Sequence, residues 1–297
     1  MFGTLRNLYL NSFLYDKKIS KSFNSSFEYK PSTYLLSSIV KIKTKKINID
    51  EFVLETVWRN ENLNQKQFKK LNNFFWIFSL DLKSSNSSVQ KVIENWIEVN
   101  QKYDPKSWEF DTTSKRIISW LSNSKLTYDE SSEQYKNNFN LIVQKQTFHL
   151  LNQIKNVNDY EDKLIGVSAI ILFSLSYTKQ QKLLSISLDY LKKIIRNSLD
   201  KFGFPNSRNI QQSTLYLKYL ILIREWFKES QVAIPEFIDE NIFYLGQSYN
   251  FFWKKINFDP LFNGNNISNN QEFDQYLKRL GYSFKNQNYE SSNYISL

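Results

Sequence analysis

A chain of 297 residues with 41% hydrophobic content can build one large domain or two small ones around an ordinary packed core. Six Gly and five Pro are too few for a turn-dense all-β protein. No Cys and a single His, His149, exclude disulfides, a thiolate nucleophile and a histidine-based metal centre, so no cofactor is expected. The net charge of +10 suits an acidic partner, yet the lysines are scattered and the densest run, residues 41–46, is short, which argues against a nucleic-acid interface.

In chain order, residues 1–18 read as one amphipathic helix. Arg6, Asn7 and Asn11 interrupt any apolar run, and no small-residue cleavage site follows, so the segment is not a signal peptide. The compartment is therefore cytoplasmic by default. Residues 19–60 are irregular, with 27–34 and 52–57 as candidate extended pieces. From residue 64 onward the pattern is helical. Val89, Val92, Ile93, Trp96 and Ile97 share one face of a helix capped by Asn86 or Ser87 and stopped at Asp104-Pro105. A second helix starts near Thr112 or Thr113 and carries Ile117, Ile118, Trp120 and Leu121. A third covers 132–156, with Phe139, Val143, Leu150 and Ile154 on its stripe. Residues 161–177 are apolar on most sides but too short to span a bilayer, which marks a buried helix.

Leu184, Leu188, Leu191, Ile195 and Leu199 form the next stripe, and 210–228 is again apolar on most sides. Pro235 opens a helix carrying Ile238, Ile242, Leu245, Tyr249 and Phe252. A last short helix at 272–280 is stopped by Gly281. Beyond it Tyr282, Phe284, Tyr289, Tyr294 and Ile295 lose helical spacing and gain β propensity. Helices of this length on short loops pack antiparallel to their neighbours. The alternation of amphipathic and all-apolar helices predicts two layers, in a superhelix or toroid of helical hairpins. The organisation expected is an all-α unit over 1–280, irregular over 1–60, followed by a β-prone tail over 281–297 that is poorly packed or paired with itself.

The segment Gly203-Phe204-Pro205-Asn206-Ser207-Arg208-Asn209 crowds turn formers together with a guanidinium and two carboxamides, groups suited to holding a carboxylate. Its bland reading is a capping loop, with Asn206 or Ser207 as cap and Arg208 exposed. Three further blocks accompany it: Asn73-Phe74-Phe75-Trp76; Trp108, Asp111, Thr113, Arg116 and Trp120 at fixed spacing; and Leu261-Phe262-Asn263-Gly264.

In this order, over roughly residues 70–297, the blocks resemble the N-terminal helical part of bacterial heparinase II/III-like proteins. The resemblance implies an incomplete (α/α) toroid, with a β-sandwich domain beginning near residue 281. It also implies a polysaccharide lyase that cleaves uronate-containing acidic glycans by β-elimination, and, by family, a periplasmic location. Arg208 and Asn209 then become the candidate catalytic groups that neutralise the uronate carboxylate. Ser207, Asn263, Trp108, Arg116 and His149 are candidate substrate contacts, with Trp108 the aromatic most expected to face a cleft. The bland roles are a helix-start pairing of Arg116 with Asp111, a satisfied structural His149 and a turn at Asn263. The sequence departs from the family where its usual histidine falls on Pro205, and Tyr244 and Tyr249 are the nearest stand-ins for its tyrosine. The partner expected is an acidic polysaccharide, with no nucleic acid and no membrane span. The alternative function is a non-catalytic carbohydrate-binding or scaffold protein.

Overall fold

The computed structural model describes residues 2–20, 25–38, 58, 62–80, 86–200, 203–252, 271–284, 290–291 and 294–295. Among them stand twelve α-helices and a single two-stranded ladder, so the fold is all-α, as the periodicity predicts.

The N-terminal segment forms two helices rather than one, α1 (Phe2–Leu10) and α2 (Phe13–Ile19). Ser12 makes the break. Its hydroxyl donates to the Tyr9 carbonyl at 2.6 Å and accepts the Tyr15 N–H at 3.2 Å, so one side chain closes the first helix and caps the second. Of the two expected extended pieces, 52–57 lies outside the described residues. In the other, only Phe27 pairs, through an isolated bridge to Tyr177, and Thr33–Ser38 coils into a 3₁₀ turn. This stretch laces the far end of the chain. Tyr29 Oη and the Ser32 N–H donate to Glu229 Oε2 at 2.9 and 3.0 Å, and Tyr276 Oη donates to the Leu35 carbonyl at 2.8 Å.

The remaining helices are α3 (Gln65–Asn72), α4 (Asn86–Val99), α5 (Phe110–Ser122), α6 (Ser124–Thr127), α7 (Glu133–Gln153), α8 (Tyr160–Ser176), α9 (Gln181–Ser198), α10 (Ile210–Glu229), α11 (Glu236–Asn250) and α12 (Gln271–Arg279). Helix α5 begins earlier than Thr112. The Glu109 carboxylate accepts both the Thr112 N–H at 2.9 Å and its O–H at 2.7 Å, a cap supplied by a residue type the sequence rules do not favour. Helix α4 ends before Asp104-Pro105, because the Asn100 carboxamide turns back to donate to the Trp96 carbonyl at 3.0 Å.

Every residue from Leu164 to Ser174 is buried, since α8 packs against α5, α7, α9 and α10 at once. Helix α10 carries α11, and α7 carries α2 and α4. The largely apolar helices α8 and α10 therefore pack on each other, with α5, α7 and α9 against α8 and α11 against α10. At the α5–α8 contact, a Cβ on Gly166 would come within 2.4 Å of the Phe110 ring, so only glycine allows the approach.

Gly281, at φ 78°, ends α12: the Tyr282 N–H donates to the Leu277 carbonyl at 2.9 Å and the Gly281 N–H to that of Lys278 at 3.1 Å. The residues directly after it are packed, unlike the loose tail expected. Tyr282 Oη donates to Glu225 Oε1 at 3.0 Å, and the Phe284 ring is seated where a side chain on Gly246 would stand. Further on, β1 (Glu290–Ser291) and β2 (Tyr294–Ile295) pair with each other, Glu290 opposite Ile295. No helix among the described residues is long and apolar enough to cross a membrane.

Candidate functional site

The loop from Gly203 to Asn209 is held by the ends of α9 and α10. Gly203 has φ 79°, and a Cβ there would meet the backbone at Tyr244 and Leu245 at 3.1 Å, so the loop is pressed onto α11. Asp200 closes the first turn. Its carboxylate accepts the Phe204 N–H at 2.9 Å, and its own N–H donates to the Phe204 carbonyl at 2.8 Å. Asn206 ties the loop to the end of α9, its N–H donating to the Ser198 carbonyl at 2.8 Å and its carboxamide to the Asn197 carbonyl at 3.0 Å. Ser207 Oγ donates to Gln212 Oε1 at 2.6 Å and accepts the Asn209 N–H at 3.2 Å. Asn209 Oδ1 accepts the Gln211 N–H at 3.0 Å and caps α10.

The cap is thus Asn209, not Asn206 or Ser207. Arg208 sits between these anchors at φ 59°, a left-handed conformation uncommon for a non-glycine residue, with its N–H donating to the Pro205 carbonyl at 2.8 Å. Ser207 and Arg208 are exposed, whereas Pro205 and Phe204 are buried. The chemistry presented outward is a guanidinium on a hydrogen-bonded turn.

The other described candidates gather elsewhere, inside the protein. Trp108 is fully buried, which corrects the expectation that it faces a cleft. Its indole N–H donates to the Asn100 carbonyl at 3.0 Å and its ring meets His149 edge-on at 5.5 Å. Asp104 pulls it inward by accepting the Ser107 N–H at 2.7 Å.

Arg116 is also fully buried and does not pair with Asp111, which binds Lys115 at 2.7 Å instead. Its guanidinium donates to the carbonyls of Asn72 (2.8 Å) and Ser107 (3.0 Å), to Gln146 Oε1 (3.1 Å) and to Thr113 Oγ1 (3.1 Å), and it lies 4.0 Å from the Trp96 ring centre. Burial pushes its pKa down, and the charge of Glu109 opposes that. Trp120 packs on Trp96 and on Phe74, a left-handed residue whose carbonyl accepts from Ser119 Oγ at 2.7 Å. The spaced block Trp108–Asp111–Thr113–Arg116–Trp120 is therefore a knot that joins α3, α5, α7 and the 104–108 turn.

His149 completes the knot. Nδ1 lies 2.8 Å from Tyr15 Oη, and the Trp108 backbone supplies a further hydrogen bond. Burial lowers its pKa to about 3 against the Trp108 hydrogen bond, with Arg116 and Arg6 adding to the depression. Burial raises the Tyr15 phenol to about 12, so the phenol keeps its proton beside the ring. A neutral imidazole satisfied in this way is not available as an acid or base.

Asn263 lies outside the described residues. Tyr249, weighed as a stand-in for the family tyrosine, is buried and donates to Asp274 Oδ1 at 3.0 Å; burial and that carboxylate push its pKa up, and it stays protonated. Tyr244 packs beside Gly203.

Next to the loop the structure opens a cavity of about 380 Å³ that the sequence reading missed. It lies between the start of α8 and the end of α9, with Lys155, Lys163, Lys193, Tyr160, Tyr190 and Asn197 on its walls. None of the acids at the start of α8 lines it. Asp159 Oδ1 caps the helix, accepting the N–H groups of Glu161 and Asp162 at 2.7 and 2.9 Å. Burial raises Asp162 to about 6, and the charges of Asp111, Asp159 and Glu109 add to the rise. The spacing of Tyr190, Lys193 and Asn197 on α9 was the available signal, being three and four residues apart. The lysines at 155 and 163 join them only through the fold.

Comparison with family models, with curated proteins and with solved structures finds no match to this chain.

Proposed function

We propose that the chain is the helical part of a heparinase II/III-like polysaccharide lyase, and that by itself it binds an acidic, uronate-bearing glycan without cleaving it. The observation that supports this reading is Arg208, exposed on a turn whose neighbours are anchored at both sides. A planar guanidinium matches a carboxylate in a two-pronged fashion. A turn already fixed by hydrogen bonds lowers the ordering cost of binding. The packing of successive helices around the buried α8 suits an incomplete (α/α) toroid.

β-Elimination needs a base for the proton beside the carboxylate and an acid for the departing oxygen. Among the described candidates only Tyr244, beside Gly203, lies at the loop, and one phenol does not supply both roles. His149 is buried and neutral, Tyr249 is held protonated, and Pro205 has no titratable group. This favours the carbohydrate-binding alternative for the chain as given.

The test is calorimetric titration of a hexuronate oligomer into the protein and into Arg208→Ala. A charged hydrogen bond of about 1–3 kcal/mol predicts roughly fivefold to 150-fold weakening in the variant. Equal binding by both proteins would remove Arg208 from the site. Ultraviolet absorbance of an unsaturated uronate product is expected to stay flat, and clear turnover overturns the binding-only reading.

A further inference from the structure

We propose that the cavity between the start of α8 and the end of α9 binds a sugar-sized ring carrying a tetrahedral oxyanion, a phosphate or sulfate monoester. Three separate elements build it. The 3₁₀ turn Ile154–Asn156 brings Lys155, the first turn of α8 brings Tyr160 and Lys163, and the last turns of α9 bring Tyr190, Lys193 and Asn197. Three lysines, Lys155 and Lys193 exposed and Lys163 half-buried, therefore line one space with no Asp or Glu among its lining residues. Gathering like charges costs electrostatic energy, and a bound anion relieves it.

The kind of anion follows from the kind of cation. Lysine is a compact point charge without the planar fork of arginine, and three of them around one space suit a tetrahedral oxyanion approached from several directions. The remaining walls supply a face for a ring. Tyr190 is half-buried beside buried Ile194. Lys163 Nζ stands 4.7 Å over the Tyr160 ring, which holds that ammonium at the wall. Aromatic rings of this kind pack against the apolar face of a ring ligand. A volume of about 380 Å³ is at the small end of ligand cavities, enough for one six-membered ring and its ester. The ester comes either on a free sugar or as a decoration on a chain. The inference does not rest on the uronate reading, because its residues are different ones.

The experiment titrates glucose 6-phosphate, glucose, inorganic phosphate and a sulfated disaccharide into the protein, into the double variant Lys163→Gln/Lys193→Gln and into Arg208→Ala, with circular dichroism to check folding. The expected result is that glucose 6-phosphate or the sulfated disaccharide binds and glucose does not. The lysine double variant should weaken that binding by about tenfold or more, and Arg208→Ala should leave it unchanged. Tighter binding of glucose 6-phosphate assigns the site to a free sugar ester, and tighter binding of the disaccharide assigns it to a decorated chain. Three results overturn the proposal: no binding of either ester, binding that a folded lysine double variant retains, or inorganic phosphate binding as tightly as the esters, which marks an anion site without a ring. Loss of uronate binding in Arg208→Ala is read separately and bears only on the loop.

Discussion

Arg116 and Arg208 carry the same guanidinium in opposite surroundings. The first lies inside the α3–α5–α7 knot and gives its donors to the carbonyls of Asn72 and Ser107, to Gln146 and to Thr113. The second stands exposed at the head of α10, on a turn already satisfied by its neighbours. What separates them is backbone accounting. The knot contains carbonyls at chain breaks, with no helical partner, and a buried acceptor left unmet is costly. The loop meets its own backbone needs through Asp200, Ser207 and Asn209, while its arginine is exposed. An arginine is thus buried and structural where the backbone around it is incomplete, and exposed where the backbone is complete.

The largest test of that contrast is Arg116→Ala. It strands two buried carbonyls and leaves a void beneath Trp96, so a loss of about 3–5 kcal/mol is expected in denaturant unfolding. A loss below about 1 kcal/mol would mean that the knot is not held by its arginine.

The next effect comes from His149 and depends on pH. Its folded pKa of about 3 lies below the ordinary 6.5, so the unfolded chain takes up the proton first. Stability is full above pH 6.5 and falls as the pH drops toward 3, by about 2 kcal/mol at pH 5. As His149 is the single histidine, its imidazole proton resonance reports the group directly and should not move between pH 8 and pH 5. A midpoint near 6.5 in the folded protein would break the assignment.

A smaller effect is expected at the border of the two regions. Asp162 has its folded pKa raised from 3.8 to about 6, so its ionisation is disfavoured in the fold. Its contribution is present below pH 3.8 and is lost as the pH rises through about 6. Asp162→Asn should raise the melting temperature at pH 7 and leave it unchanged below pH 4. An equal shift at both pH values would point to packing rather than charge.

The smallest effect sharpens the comparison from the other side. Arg208→Ala should change stability by no more than about 0.5 kcal/mol, as at an exposed site. A larger loss would make Arg208 a second structural arginine and remove the reason to place a ligand there.

Much of the helical layout was readable because burial imposes spacing. The stripe on α4 and the all-apolar run of α8 declare their faces without any knowledge of the fold. The failures come where a side chain competes for backbone groups. Ser12 splits the first helix, Asn100 shortens α4, and Glu109 starts α5 early, each through one side chain whose hydrogen bonding periodicity does not register. The candidate site divides along the same line. The loop was legible from its turn formers, whereas the burial of Trp108 depends on the Asn100 carbonyl and on how Asp104 folds the intervening turn. The lysine cavity was not legible as a unit, since Lys155, Lys163 and Lys193 meet only when α8 and α9 lie side by side.

The 3₁₀ turn at Thr33–Ser38 waits on the far end of the molecule. The Leu35 carbonyl is bound by Tyr276, 241 positions later, and Tyr29 and Ser32 are held by Glu229. Synthesis runs from the N-terminus, so the early segment leaves the ribosome long before its partners exist. Helices α5 to α10 can assemble on local contacts in the meantime. The strap formed by residues 27–38 then closes fully only after α12 has emerged, so an early-made part of the chain is among the last to lock.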